Sequence, residues 1–313
     1  MICHYTVMLR FFSITIFSYI IVLLSIAFFT LLERKILGYF QIRKGPNKVS
    51  LIGIMQPIAD ALKLFSKESN KPTLALTSPF IMAPIANLII ALFMWNIAPS
   101  SSPRLYILYS YLLFLCLSRI RVYTTLIAGW ASNSKYALLG TIRRIAQTIS
   151  YEIRISITLI FCLLFISSLR LQISQFYTKW NIILISPIIS FIWFTTILAE
   201  TNRRPFDFAE GERELVSGFN TEYRRNAFAC IFIAEYINIL FISLITVILV
   251  SNSFSIPILR MSFLIFKTSL IAGMFIRIRA SYPRIRYDQL INITWTSFLP
   301  IRILLIITFT PII

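Results

Sequence analysis

Eight stretches of about twenty mostly apolar residues divide this chain of 313 residues, near 11–32, 78–98, 105–128, 142–168, 181–199, 227–250, 258–276 and 290–310. A helix needs roughly 20 such residues to cross a hydrocarbon layer ~30 Å thick. No water is available there to satisfy backbone N–H and C=O groups, so each stretch must form a helix rather than an open strand. With 58% hydrophobic and only 13% charged residues, and a mean hydropathy of +0.79, the composition excludes a soluble globular domain. The fold expected is an all-α integral membrane protein of about eight transmembrane helices. Residues 1–313 read as a single polytopic domain, since neither Gly nor Pro clusters into a linker. The first stretch, "FFSITIFSYIIVLLSIAFFTLL", is too long for a signal-peptide core and runs into "ERK" without a small-residue cleavage site, so it reads as a helix.

Basic residues orient the bundle. The segments 33–77, 129–141, 200–226 and 277–289 carry eight, one, five and four Lys or Arg. The opposite connections hold only Arg104 in one, Arg170 and Lys179 in another, and none in 251–257. The four polar segments therefore share the positive compartment, and an even number of spans puts both termini across from it. The net charge of +18 does not imply nucleic acid, because no motif supports it and loop basicity serves topology and lipid headgroups. Cys3, Cys116, Cys162 and Cys230 stand alone, His4 is the single histidine, and no phosphate-binding glycine motif occurs. Metal, haem and nucleotide chemistry are thus not expected on this chain.

The carboxylates carry the chemistry. Six of the twelve fall in "ETNRRPFDFAEGERELVSGFNTEY", residues 200–223. Glu152 and Glu235 lie inside the fourth and sixth spans and Glu200 ends the fifth. A charge at the bilayer centre costs roughly 2.5–3.5 kcal/mol, so such groups face a polar cavity or a partner. Either they form one buried proton path or each pairs with a nearby arginine, such as Arg154 or Arg203, to fasten helices. Asp207, Glu210 and Glu214 have the spacing of one helix face, while Pro205, Gly211 and Gly218 argue for only a short helical turn in an ordered loop. Ile54, Ile58, Ala61 and Leu62 give the stretch "GIMQPIADALKLF" the stripe of an amphipathic interfacial helix.

The motifs "LLERKILGYFQIRKGPNKVSLIGIMQPIADALKLFSKE", "GWASNSKYALLG", "AQTISYE", "LAETNR", "PFDFAEGE", "ELVSGFN" and "RASYPRIRYDQL" occur in this order between residues 30 and 300. They resemble those of the chain 1 family of NADH-ubiquinone oxidoreductase, a mitochondrially encoded membrane subunit of respiratory complex I. The resemblance implies an eight-helix subunit of the mitochondrial inner membrane with its long loops on the matrix side and both termini on the intermembrane-space side. It further implies a part in the ubiquinone access tunnel, with Arg34, Lys35, Asp60 and Arg279 as tunnel positions. Glu152, Glu200 and Glu235, with Asp207, Glu210, Glu212 and Glu214 of the acidic loop, would couple quinone reduction to proton translocation. Ubiquinone is the implied substrate, and the flavin and iron-sulfur clusters would sit on other subunits. The implied partners are the quinone-site subunits of the peripheral arm, neighbouring membrane subunits and lipids. A secondary transporter with mid-membrane acids and a scaffold fastened by Arg–acid pairs remain the two rival readings.

One departure from the family runs in a single direction. Arg119, Arg121, Arg144, Arg154, Arg204, Arg213, Arg224 and Arg225 stand where the resemblance implies Ser, Thr, Ala or Gly, as in "EGERELVSGFN" against the family's "EGESELVSGFN". Invertebrate mitochondria commonly read AGA and AGG as Ser, so many of these arginines are expected to be serines in the protein as made. The rival is genuine arginines paired with the acids, for example Arg204 with Glu200.

Overall fold

The computed structural model describes residues 2–68, 72–99, 107–166, 168–172, 174, 187–207, 220, 222–250 and 257–309. Among them every regular element is helical. Among the described residues seven helices are long and apolar enough to cross a membrane. These are α1 (Ile2–Phe40), α3 (Thr77–Met94), α4 (Ser110–Ala131), α5 (Lys135–Ile166), α7 (Arg225–Val250), α8 (Pro257–Ser281) and a last span. That span joins α9 (Tyr287–Ile293), a π turn (Thr294–Phe298) and α10 (Leu299–Phe309). The remaining expected span, 181–199, is described only from Pro187, as the 14-residue apolar helix α6 (Pro187–Glu200).

Helices run further than the apolar stretches. α1 continues through "ERKILGYF", so Glu33, Arg34 and Lys35 lie on a helix and not in a loop beginning at residue 33. α5 starts at Lys135, which leaves only residues 132–134 between α4 and α5. That tight hairpin depends on Gly129, where a Cβ would stand 2.0 Å from Thr141 Cγ2. At the first polar connection Gly53 has φ +79°, and a Cβ there would meet Pro46 O at 2.2 Å.

α7 is the centre of the bundle: 72% of its apolar window is buried, against 22% for α1 and 17% for the last span. It packs against α3 and α8, while α4 lies between α3 and α5, and α6 lies on α5. Met94, Phe114, Trp193, Phe241 and Ile245 belong to one buried cluster at the junction. The large residues left outside on α1, among them Phe12, Phe17 and Leu24, suit contact with hydrocarbon or with neighbouring helices. α2 (Gln56–Ser66) matches the amphipathic helix expected, and its Ile58, Leu62 and Phe65 point away from the bundle, each more than half exposed.

The described parts of the four polar connections lie on one face. Leu76 N donates to Ala131 O at 3.0 Å and Asn133 Nδ2 donates to Leu74 O at 3.2 Å, joining the first connection to the second. Ile285 N donates to Pro205 O at 3.2 Å, joining the third to the fourth. At the opposite end Leu171 N donates to Ser110 Oγ at 2.6 Å. The charge argument and the chain path thus give the same grouping of loops.

Candidate functional site

Two groups of charged side chains occupy the polar-loop half of the bundle. The first surrounds Glu33. This carboxylate, 5% exposed, accepts hydrogen bonds from Arg203 Nη1 at 3.1 Å, from the Tyr236 hydroxyl at 2.6 Å and from Arg279. Arg203 also lies over the Tyr236 ring, 4.5 Å from its centroid. One residue thereby joins α1, the turn after α6, α7 and α8. Burial alone would favour neutral Arg203, but Glu33, then Tyr236 and Glu235, more than offset it and raise its pKa above the ordinary value.

Next to Glu33, Arg34 pairs with Asp60 at 2.6 Å, and Gln56 Nε2 donates to the other oxygen of Asp60 at 3.1 Å. Lys35 Nζ donates to Ile52 O at 2.6 Å. Of the four tunnel positions expected, Arg34, Lys35 and Asp60 thus form the α1–α2 corner, and Arg279 reaches it through Glu33. Glu33 and Tyr236, which bind Arg203 and Arg279 into this corner, are not among the residues that the sequence reading names. The one available signal was a carboxylate placed immediately after an apolar run.

The second group holds the three intramembrane acids, on three successive helices. Glu200 at the end of α6 accepts from Arg121 Nη2 of α4 at 3.0 Å. Glu235 of α7 accepts from Arg144 Nη2 of α5 at 2.8 Å. Glu152 of α5 lies 3.7 Å from Arg119 Nε of α4. Glu152, Glu200 and Arg121 line one small cavity together with Ser118, Asn238 and Ile242. The alternative of pairing with a nearby arginine is met by Arg119, Arg121 and Arg144 and not by the two examples named, Arg154 and Arg203. Arg203 serves Glu33, and Arg154 is two residues from Glu152 on the same helix, a spacing that points side chains apart. Arg204 does not reach Glu200 as a helical neighbour either, because α6 ends at Glu200 and the chain turns at Asn202, φ 50°.

In the acidic loop, Glu210, Glu212 and Glu214 lie outside the described residues. Asp207 is half-buried in the non-helical turn that follows α6. Gln147 of α5 fixes this turn, donating from Nε2 to Ala199 O at 3.0 Å and to Phe206 O at 2.9 Å. The acidic loop therefore begins against the helix that carries Glu152. Among the described residues no group of three or more His, Cys, Asp or Glu could hold a metal ion.

A family profile described as NADH dehydrogenase matches residues 14–310. NADH-ubiquinone oxidoreductase chain 1 of the brine shrimp Artemia franciscana is 48% identical over 284 residues, 90% of this chain and 92% of its own length. The chain belongs to this family. The same subunit from the bat Emballonura alecto is 50% identical over 290 residues, 91% of each chain, and that of the mosquito Aedes aegypti is 46% identical over 290 residues. As a member of the NADH-ubiquinone oxidoreductase chain 1 family, the protein is a membrane subunit of an oxidoreductase complex of the respiratory chain. The all-helical bundle with its long apolar spans agrees with that membership.

Proposed function

We propose that this subunit helps form the ubiquinone tunnel of complex I in the mitochondrial inner membrane and couples quinone reduction to proton translocation. The observation that carries the reading is the placement of Glu152, Glu200 and Glu235 on α5, α6 and α7, two of them around one cavity, in the half of the bundle that also holds the Glu33 cluster. Reducing a quinone to a quinol consumes two electrons and two protons, and charge builds up before the protons arrive. Electrons would come from NADH through the flavin and iron-sulfur clusters of other subunits. Arg34, Lys35 and Arg279 supply cations at the polar ends of helices, where a quinone head can be oriented, while the apolar spans suit its isoprenoid tail. Charge on the reduced head would act on the Glu33 cluster and, across α7, on Glu235 and its neighbours. Buried carboxylates respond to such a field by exchanging protons or partners. The acidic loop of Asp207, Glu210, Glu212 and Glu214 would link the tunnel to this path.

The fastening alternative draws on the same ion pairs, each of which joins two helices. Glu200→Gln and Glu235→Gln in the assembled complex separate the two readings, since an amide keeps shape and hydrogen bonding but cannot carry a proton. Relay predicts a complex that assembles, with slowed quinone reduction and proton pumping. Loss of assembly with normal turnover in whatever complex remains would replace relay with fastening.

A further inference from the structure

Three buried oxygens without hydrogen-bond partners converge on the cavity between α4, α5, α6 and α7. They are Glu152 Oε1, Glu200 Oε2 and Asn238 Oδ1, from residues 5%, 2% and 5% exposed. The cavity gives the centre of a water molecule about 10 Å³, the room that one water needs. Its remaining wall is mostly apolar, with Met94, Phe114, Ile155 and Ile242 among the lining residues. Arg121 serves the other oxygen of Glu200, and the Ser118 hydroxyl donates to Leu115 O at 2.9 Å. On α7, Asn238 follows Glu235 by three residues, so the same face presents Glu235 to Arg144 and Asn238 to the cavity.

We propose that Asn238 is a positioning residue for proton transfer between Glu152 and Glu200, its amide oxygen anchoring one water that bridges the two carboxyl groups. The hydrogen-bond inventory sets the proton count. A water donates two hydrogens, and three acceptors face it, so with both carboxylates ionised one acceptor stays unsatisfied. A single proton on the pair removes the deficit: the protonated carboxyl donates to the water, and the water donates to the other carboxylate and to Asn238 Oδ1. Transfer then moves one proton from the donor carboxyl to the water oxygen while the water gives one proton to the acceptor carboxylate. The pair as a whole keeps its single proton. Afterwards the water again donates to the newly ionised carboxylate and to Asn238, so the amide holds the bridge in either direction.

This inference rests on the relay reading above and is tested in the assembled complex with Asn238→Leu and Asn238→Ser. Leucine keeps the branched outline of asparagine, with bulkier methyl groups and no acceptor, whereas serine leaves room for a further water. The leucine variant is expected to slow coupled turnover by about tenfold to a hundredfold, the scale of a misplaced reacting group, without raising the apparent quinone KM. The serine variant is expected to stay close to the native rate. Infrared difference spectra of the native complex should show a protonated carboxyl band that Glu152→Gln or Glu200→Gln removes and Asn238→Leu shifts. Equal impairment of the leucine and serine variants, or native turnover in the leucine variant, would overturn the proposal. So would the lack of that carboxyl band in the native complex, a result that does not depend on any Asn238 variant assembling. Normal turnover in Glu200→Gln would instead sink the relay reading itself.

Discussion

Arg203, just beyond the end of α6, donates to Glu33 of α1 at 3.1 Å across 170 residues of sequence. The bond ties the polar end of the first helix to the turn that opens the acidic loop, and Arg279 adds a second cation from α8. Glu33→Gln should therefore act at both ends of the joint. Removing one member of a buried pair costs ~3–5 kcal/mol, and the partial exposure of Arg279 lowers this to ~1–3 kcal/mol. The purified complex should show a lower apparent Tm and slower quinone reduction, with Glu33→Asp closer to native. Unchanged values for Glu33→Gln would remove Glu33 from the site.

The same joint should be insensitive to mild alkali on the arginine side. A raised pKa means that the stability contributed by Arg203 is fully present below the ordinary arginine value of the unfolded chain and is lost only as pH rises through the still higher folded value. Between about pH 7 and about pH 9 the melting temperature should carry no slope attributable to Arg203. A slope in that range that Arg203→Gln abolishes would contradict this assignment.

Much of this architecture can be read in the sequence, because length and hydropathy decide which segments enter hydrocarbon. Helix ends are less legible. "ERKILGYF" stays helical to Phe40 although hydrocarbon no longer requires it, since nothing in that run breaks a helix. Partner choice is the least legible. For the arginines that depart from the family, pairing with the acids is the rival reading and Arg204 with Glu200 its one named example, yet it is Arg119, Arg121 and Arg144 that face Glu152, Glu200 and Glu235 across helix boundaries. Helix spacing could have excluded Arg154 as a partner of Glu152. No local spacing could have joined Glu33 to Arg279, 246 residues away.

Orientation is the next test. The described parts of the polar connections share one face by their mutual hydrogen bonds, and the excess of basic residues there is the ground on which we propose that this face lies in the matrix. Protease added to inner-membrane vesicles with the matrix side outward should cut within residues 200–226 and spare the termini. Cutting of that segment only in vesicles of the opposite orientation would reverse the assignment.

The α4–α5 hairpin should be intolerant of a single methyl group. Gly129→Ala places a Cβ within 2.7 Å of Thr141 Cβ and closer still to its branches. Overpacking of this kind costs typically ~1–3 kcal/mol, seen as a lower yield of assembled complex and a lower apparent Tm. Gly129→Ala with Thr141→Gly should recover much of the loss, and failure to recover would place the defect elsewhere.

The last prediction concerns two arginines in the apolar interior. Arg154 of α5 is 0% exposed, and none of its three guanidinium nitrogens has a hydrogen-bond partner of ordinary geometry, although it lies 4.6 Å from the Tyr151 ring centroid. Arg302 of α10 is 2% exposed, with one bond, from Nη2 to Ile192 O at 3.3 Å. The two are near enough for their charges to interact. A cation–π contact offers ~0.5–2 kcal/mol, less than the several kcal/mol that burying each cation without a carboxylate costs. Arg119, Arg121 and Arg144 face carboxylates and bear no such penalty. Arg154 was already among the positions expected to be serine, and burial adds Arg302 to them. Either serine hydroxyl would find a backbone carbonyl one helical turn back, as Thr158 Oγ1 does with Arg154 O at 3.0 Å. Peptide mass spectrometry of the natural protein should therefore find serine at 154 and 302, with no tryptic cleavage after either, and serine also at 213, 224 and 225. Cleavage after 154 and 302 with arginine masses would show that the bundle does bury two unpaired guanidinium groups.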